Sequence, residues 1–129
     1  MMFEENEALV EQGKWDEAEA SLLLFVADHP VHPKGHALLG MCLGRKGDID
    51  AASVHFQRAW ALDPMDWGSG KNLLKCYEYM GRHKDGLEVA HGVLKNHPGD
   101  ADVTGAVDRI TAAMKAQGPG DDREKVWGR

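Results

Sequence analysis

The chain of 129 residues lacks any surplus of positive charge: 15 Lys and Arg stand against 21 Asp and Glu, a formal net charge of −6. Non-specific binding to nucleic acid or to an anionic membrane needs the opposite balance, so both are excluded as expected partners. Long apolar runs are missing too. The longest, from Leu22 to Ala27, is far short of the roughly 20 residues a membrane span requires. The first residues are acidic where a secretory signal would be basic, and no N-x-S/T glycosylation acceptor occurs. A soluble, cytoplasmic protein is the expectation. Two cysteines, Cys42 and Cys76, make no disulfide framework.

Catalytic signatures are equally scarce. Gly68-Ser69-Gly70-Lys71-Asn72 looks like part of a phosphate-binding loop. Met65 stands where that motif needs its first glycine, Asn72 stands where it needs Ser or Thr, and no strand precedes it. His29, His32 and His36 have a spacing seen among zinc and nickel ligands. Pro30 and Pro33 break that segment, however, and no further ligand completes the shell. With no Ser-His-Asp order, metalloprotease helix or nucleotide fingerprint, the chain is expected to be no enzyme and to carry no metal or cofactor. The remaining histidine chemistry ranks last among the functional readings.

What the sequence does have is a period. Gly13, Gly47 and Gly81 lie 34 residues apart, as do Pro30, Pro64 and Pro98, and Ala18, Ala52 and Gly86 fall on the same grid. The two cysteines are also one period apart, in equivalent helices. Packed helices stand about 8–10 Å apart, too far for a disulfide, so free buried thiols are expected. Each unit reads as two helices. Leu39, Gly40 and Leu43 share a face before Gly47 breaks the first. Asp48 then caps a second, whose stripe is Ile49, Ala52, Phe56 and Ala59, ending at Asp63-Pro64.

The period and its landmarks resemble the tetratricopeptide repeat (TPR), W-x₂-L-G-x₂-Y, then A-x₃-F, then P. The middle unit fits it with His36 in the tryptophan place, followed by Leu39, Gly40, Leu43, Ala52, Phe56, Ala59 and Pro64. The resemblance implies an all-α, right-handed α-solenoid of three helix-turn-helix units over about 1–32, 33–66 and 67–98. A capping helix over about 100–117, with Val103, Val107, Ile110 and Met114 on one face, completes a domain of residues 1–117, and residues 118–129 form a disordered tail in which Trp127 is solvated. In the first unit Glu5 and Asn6 replace Leu39 and Gly40, which marks a terminal helix. In the third, Leu74 replaces Gly40 while Ala90 replaces Phe56, which reads as an exchange of volume.

In proteins similar to this one the first helix of each pair lines a concave groove that holds a peptide or a partner's helix. The face opposite the buried stripe then places Lys34, Leu38, Met41 and Arg45 in the groove from the second unit. Asn72, Lys75 and Tyr79 come from the third, with Lys71 at the margin. The last helix offers Asp102, Ala106, Arg109 and Ala113, the first Glu4, Glu7 and Glu11. Lys34, Arg45, Lys71, Lys75 and Arg109 are expected to hold acidic groups of a ligand, with Leu38, Met41 and Tyr79 supplying apolar contact. The alternative pairs Glu7 and Glu11 with Lys34 and Arg45 and leaves a solvated surface. Of the carboxylate clamp of Lys and Asn that some TPR proteins use on chaperone tails, Asn72 and Lys75 match half, whereas the first helix is acidic.

The expected function is therefore a protein-protein interaction module with an adaptor or scaffold role. The expected state is a monomer or a weak homo-oligomer through the N-terminal repeat, and a structural alternative is self-assembly through that end, with Phe3, Leu9 and Val10 seeking a partner. A TPR-type secretion chaperone is a third.

Overall fold

The computed structural model describes residues 3–117; the expected tail, Trp127 included, lies outside them. Within that range there are seven helices and no strand: α1 (Phe3–Glu11), α2 (Trp15–Asp28), α3 (Pro33–Arg45), α4 (Ile49–Leu62), α5 (Trp67–Tyr79), α6 (His83–Asn96) and α7 (Ala101–Ala116).

Local chemistry sets their ends. Gly13, Gly47 and Gly81 adopt φ of 72°, 87° and 71°, the left-handed region in which a side chain is strained. The residue after each glycine donates its N–H back into the preceding helix, Lys14 to Leu9, Asp48 to Leu43 and Arg82 to Tyr77, at 2.9–3.0 Å. This is the Schellman closure, which satisfies carbonyls the helix end would leave bare. These turns join α1 to α2, α3 to α4 and α5 to α6. The second helix of each pair closes on His29, Asp63 or His97, each followed by a proline that cannot continue the helix. The next helix starts on a side-chain cap: His32 Nδ1 accepts from Gly35, Asp66 from Ser69 and Asp100 from Val103.

Each helix packs on the next along the chain, and α1 also reaches α3 as α5 reaches α7. Odd-numbered helices thus meet at both ends of the stack, α1 with α3 and α5 with α7. One continuous core runs through the stack, from Val10, Leu22 and Leu39 to Leu73, Val93 and Ile110. Cys42 and Cys76 are both free and buried in it; burial pushes the Cys42 thiol up to about 11 and raises Cys76 as well.

The exchange of volume has a measurable basis. A Cβ on Gly40 would stand 2.9 Å from the Phe56 ring, so the glycine makes room for the phenyl group. One unit later the same two places hold Leu74 and Ala90, both buried, and Ala90 lines none of the clefts described below. One unit earlier the pair is Asn6 and Leu22, both fully buried. Asn6 is thus a core residue, although its place in a terminal helix gave no hint of burial. Of the three apolar residues expected at the N-terminal end, Val10 is buried, Leu9 packs on the core, and the Phe3 ring lies tilted against those of Phe25 and His32.

Candidate protein-binding groove

Helix α3 presents Lys34, Leu38, Met41 and Arg45, and α5 presents Lys71, Asn72, Lys75 and Tyr79, on the sides opposite buried Leu39, Leu43, Leu73 and Tyr77. Lys34, Met41, Arg45, Lys75 and Tyr79 are exposed, Tyr79 by 79%, while Leu38 is half-buried against the core. Between α5 and α7 lies a cleft of about 260 Å³ lined by Lys71, Lys75, Glu78, Asp102 and Arg109 among others. Three of the five expected basic residues therefore meet around one opening.

Two of those three are already bound. Lys71 Nζ sits 3.0 Å from Asp100 and 2.9 Å from Asp102, which raises its pKa and lowers that of Asp100. Arg109 makes a two-pronged contact with Glu78, Nε at 2.9 Å and Nη2 at 3.0 Å. Each links α5 to α7 or to its capping residue, so these cations fasten the last helix instead of standing open. Both contacts to α7 and from it span 31 residues, one period less one helical turn, and this places opposite charges side by side on parallel neighbouring helices. By that spacing Lys75 faces Ala106, which carries no charge and is itself buried rather than exposed to the groove.

Arg45 lies with its guanidinium 5.3 Å from the Trp15 ring centre, an interaction of cation and aromatic face. The alternative pairing of Glu7 and Glu11 with Lys34 and Arg45 does not form among the described residues. Lys46 instead binds Asp16 at 3.2 Å and Glu19 at 2.7 Å. Lys34 and Lys75 remain without an ion-pair partner among the described residues.

Three histidines, His36, His55 and His97, make contacts within the fold. His36 Nε2 donates to the Pro30 carbonyl at 2.8 Å, leaving Nδ1 to face His55 Nδ1 at 3.1 Å. A neutral pair is satisfied when His55 carries its proton on Nδ1. His97 stacks on Trp67 with ring centres 3.8 Å apart.

No protein-family profile matches the sequence, and no curated protein matches it. Solved structures do. The first TPR of Spaghetti (RPAP3) bound to the HSP90 peptide SRMEEVD superposes with a TM-score of 0.77 at 18% identity, covering 86% of this chain and 88% of that one. The second TPR domain of human RPAP3 in complex with the HSP70 peptide SGPTIEEVD gives 0.74 at 15% identity, over 84% and 90%. MamA gives 0.79 at 21% identity, over 84% of this chain and 64% of its own length. The fold is that of a TPR domain.

In TPR terms α1, α3 and α5 are the leading helices, and the residues above lie on them and on α7. The sequence did not reveal a larger cleft, about 490 Å³, between the following helices α4 and α6, over Leu73 and Tyr77. Its readable signal is Gly92, one period after Arg58, where a long side chain gives way to none. No helix among the described residues is long and apolar enough to cross a membrane.

Proposed function

We propose that this TPR domain is an adaptor that holds an acidic peptide or helix of a partner protein along α3 and α5. Lys34 and Lys75 serve as the open cations, and Asn72, Met41 and Tyr79 as adaptable contacts. The observation that carries the reading is the inequality among the basic residues. Lys71 and Arg109 are neutralised within the protein, whereas Lys34 and Lys75 are exposed with no anionic partner on a chain that is acidic as a whole. Unneutralised cations beside exposed Met41 and Tyr79 favour an anionic ligand with apolar anchors. The TPR domains bound to peptides ending in Glu-Glu-Val-Asp make SRMEEVD and SGPTIEEVD suitable first probes.

The test is affinity capture from the source lysate with wild type beside Lys34→Glu/Lys75→Glu, followed by titration of peptides from the captured protein and of the two chaperone peptides. An acidic ligand held by wild type and weakened about tenfold or more by the double variant supports the groove. Equal retention by both proteins removes α3 and α5 from the binding surface. A ligand that tightens on the double variant reverses the sign and rejects the reading.

A further inference from the structure

The period allows the outward faces of α2, α4 and α6 to be compared place by place. In α6 the places to compare are Glu88, His91, Gly92 and Lys95, all exposed or half-exposed and none of them a large apolar side chain, with Glu88 and Gly92 on the α4–α6 cleft. Two periods earlier the same places in α2 hold Ala20, Leu23, Leu24 and Ala27. Leu24 is 73% exposed and Leu23 47%, and Val31 in the turn that follows is 74% exposed. Spacings of three and four residues put Ala20, Leu23, Leu24 and Ala27 on one side of the helix. Solvated helix faces do not ordinarily spend leucine this way, and a cluster of this kind marks an interaction surface.

The charge around the ridge selects the occupant. Helix α2 contains no Lys or Arg. Residues 1–32 carry eight acids against one base, a net −7. Asp16 and Glu19 are held by Lys46 from the end of α3. Glu17 and Asp28, which flank Leu24 on the helix surface, have no ion-pair partner among the described residues. A second copy meeting this face through a twofold axis would bring two acidic units together, and an anionic membrane would be repelled. A basic amphipathic helix satisfies both parts, its apolar stripe on the leucines and its Lys or Arg on the carboxylates.

We propose that the outward face of α2 is a second docking site, separate from the α3–α5 groove, for a partner helix whose apolar stripe is flanked by basic residues. The two sites take ligands of opposite charge on opposite sides of the stack. One chain could then bridge an acidic segment and a basic one.

The probe is a synthetic peptide of about four helical turns with a leucine stripe and lysine elsewhere, beside a twin with glutamate in place of lysine. Binding is followed by amide chemical shifts of the full chain. The lysine peptide is expected to bind and to shift α2 resonances around Leu23, Leu24 and Val31, and added salt should weaken it. Leu24→Lys and Ala20→Lys, both at exposed positions and checked for native circular dichroism, should weaken it about tenfold or more. Lys34→Glu/Lys75→Glu should leave these shifts in place, so loss of the groove reading and loss of this one are told apart. Equal binding of both peptides, or shifts confined to α3 and α5, would overturn the proposal. So would a concentration-dependent dimer abolished by Leu24→Lys while the lysine peptide fails to bind.

Discussion

Gly40 and Gly47 belong to the same helix and the turn that ends it, and each is glycine for its own reason. At Gly47 nothing stands within 4 Å of an added Cβ, and the constraint is the φ of 87°. Gly47→Ala should therefore cost about 1 kcal/mol in urea unfolding, and Gly47→Asn less, because asparagine tolerates that conformation better. At Gly40 the constraint is the Phe56 ring at 2.9 Å. Gly40→Ala gains helix propensity of about 1 kcal/mol but overpacks the core by about 1–3 kcal/mol, so a net loss is expected. In a Phe56→Leu background, which imitates the Asn6–Leu22 unit, the same substitution should cost little or even stabilise. A double-mutant cycle reads that coupling, and additive effects would reject the exchange of volume. His55 gives a pH signature at the same scale. Burial, then the neighbouring His36 and Arg58, hold its pKa below the ordinary 6.5. The unfolded chain therefore binds more protons as pH falls below about 6.5, and this contribution to stability, present above that value, is lost on acidification. The thermal midpoint should drop between pH 7.5 and 5.5, and His55→Gln should flatten the drop.

Among the elements, α7 has the most to hold. Ile110 is buried and directed at Gly86, where an added Cβ would come within 3.0 Å of its Cδ1. Ile110→Ala should lower stability by about 3 kcal/mol by removing that plug, measured by urea unfolding. The helix itself was legible in the sequence from Val103, Val107, Ile110 and Met114 on one face, and the helix boundaries followed from the glycine and proline grid. The state of the groove cations was not. Periodicity assigns a side chain to a face but leaves its neighbour undetermined. The partners of Lys71 and Arg109 emerge only when charges on adjacent parallel helices are matched 31 residues apart. That rule picks out Lys71 with Asp102 and Glu78 with Arg109 and leaves Lys75 facing an alanine. The capping role of His32 escaped because histidine is rarely a helix cap, and the burial of Asn6 because a polar residue on a terminal helix reads as exposed.

At the scale of the molecule, stability passes from neighbour to neighbour along the stack. Helix α1 is short and packs chiefly on α2 and α3, whereas α3, α4 and α5 are covered from both sides. Hydrogen exchange should find the slowest amides in α3–α5 and the fastest helical ones in α1; uniform protection would mean that the stack opens only as a whole. The charge is graded in the same direction, strongly acidic over residues 1–32 and slightly basic over 67–98, where five bases meet three acids.

The indole of Trp60 is wedged against α5 and α6, where a Cβ on Gly70 would stand 3.0 Å from its Nε1 and one on Gly92 only 2.5 Å from its Cη2. One period earlier those two places are His36 and Arg58. A tandem duplication of residues 33–66 would set that histidine and arginine against the first copy's tryptophan, in space only glycine leaves free. The repeats share a length but cannot be shuffled like identical beads, and Trp60 acts as a key cut for the unit that follows it.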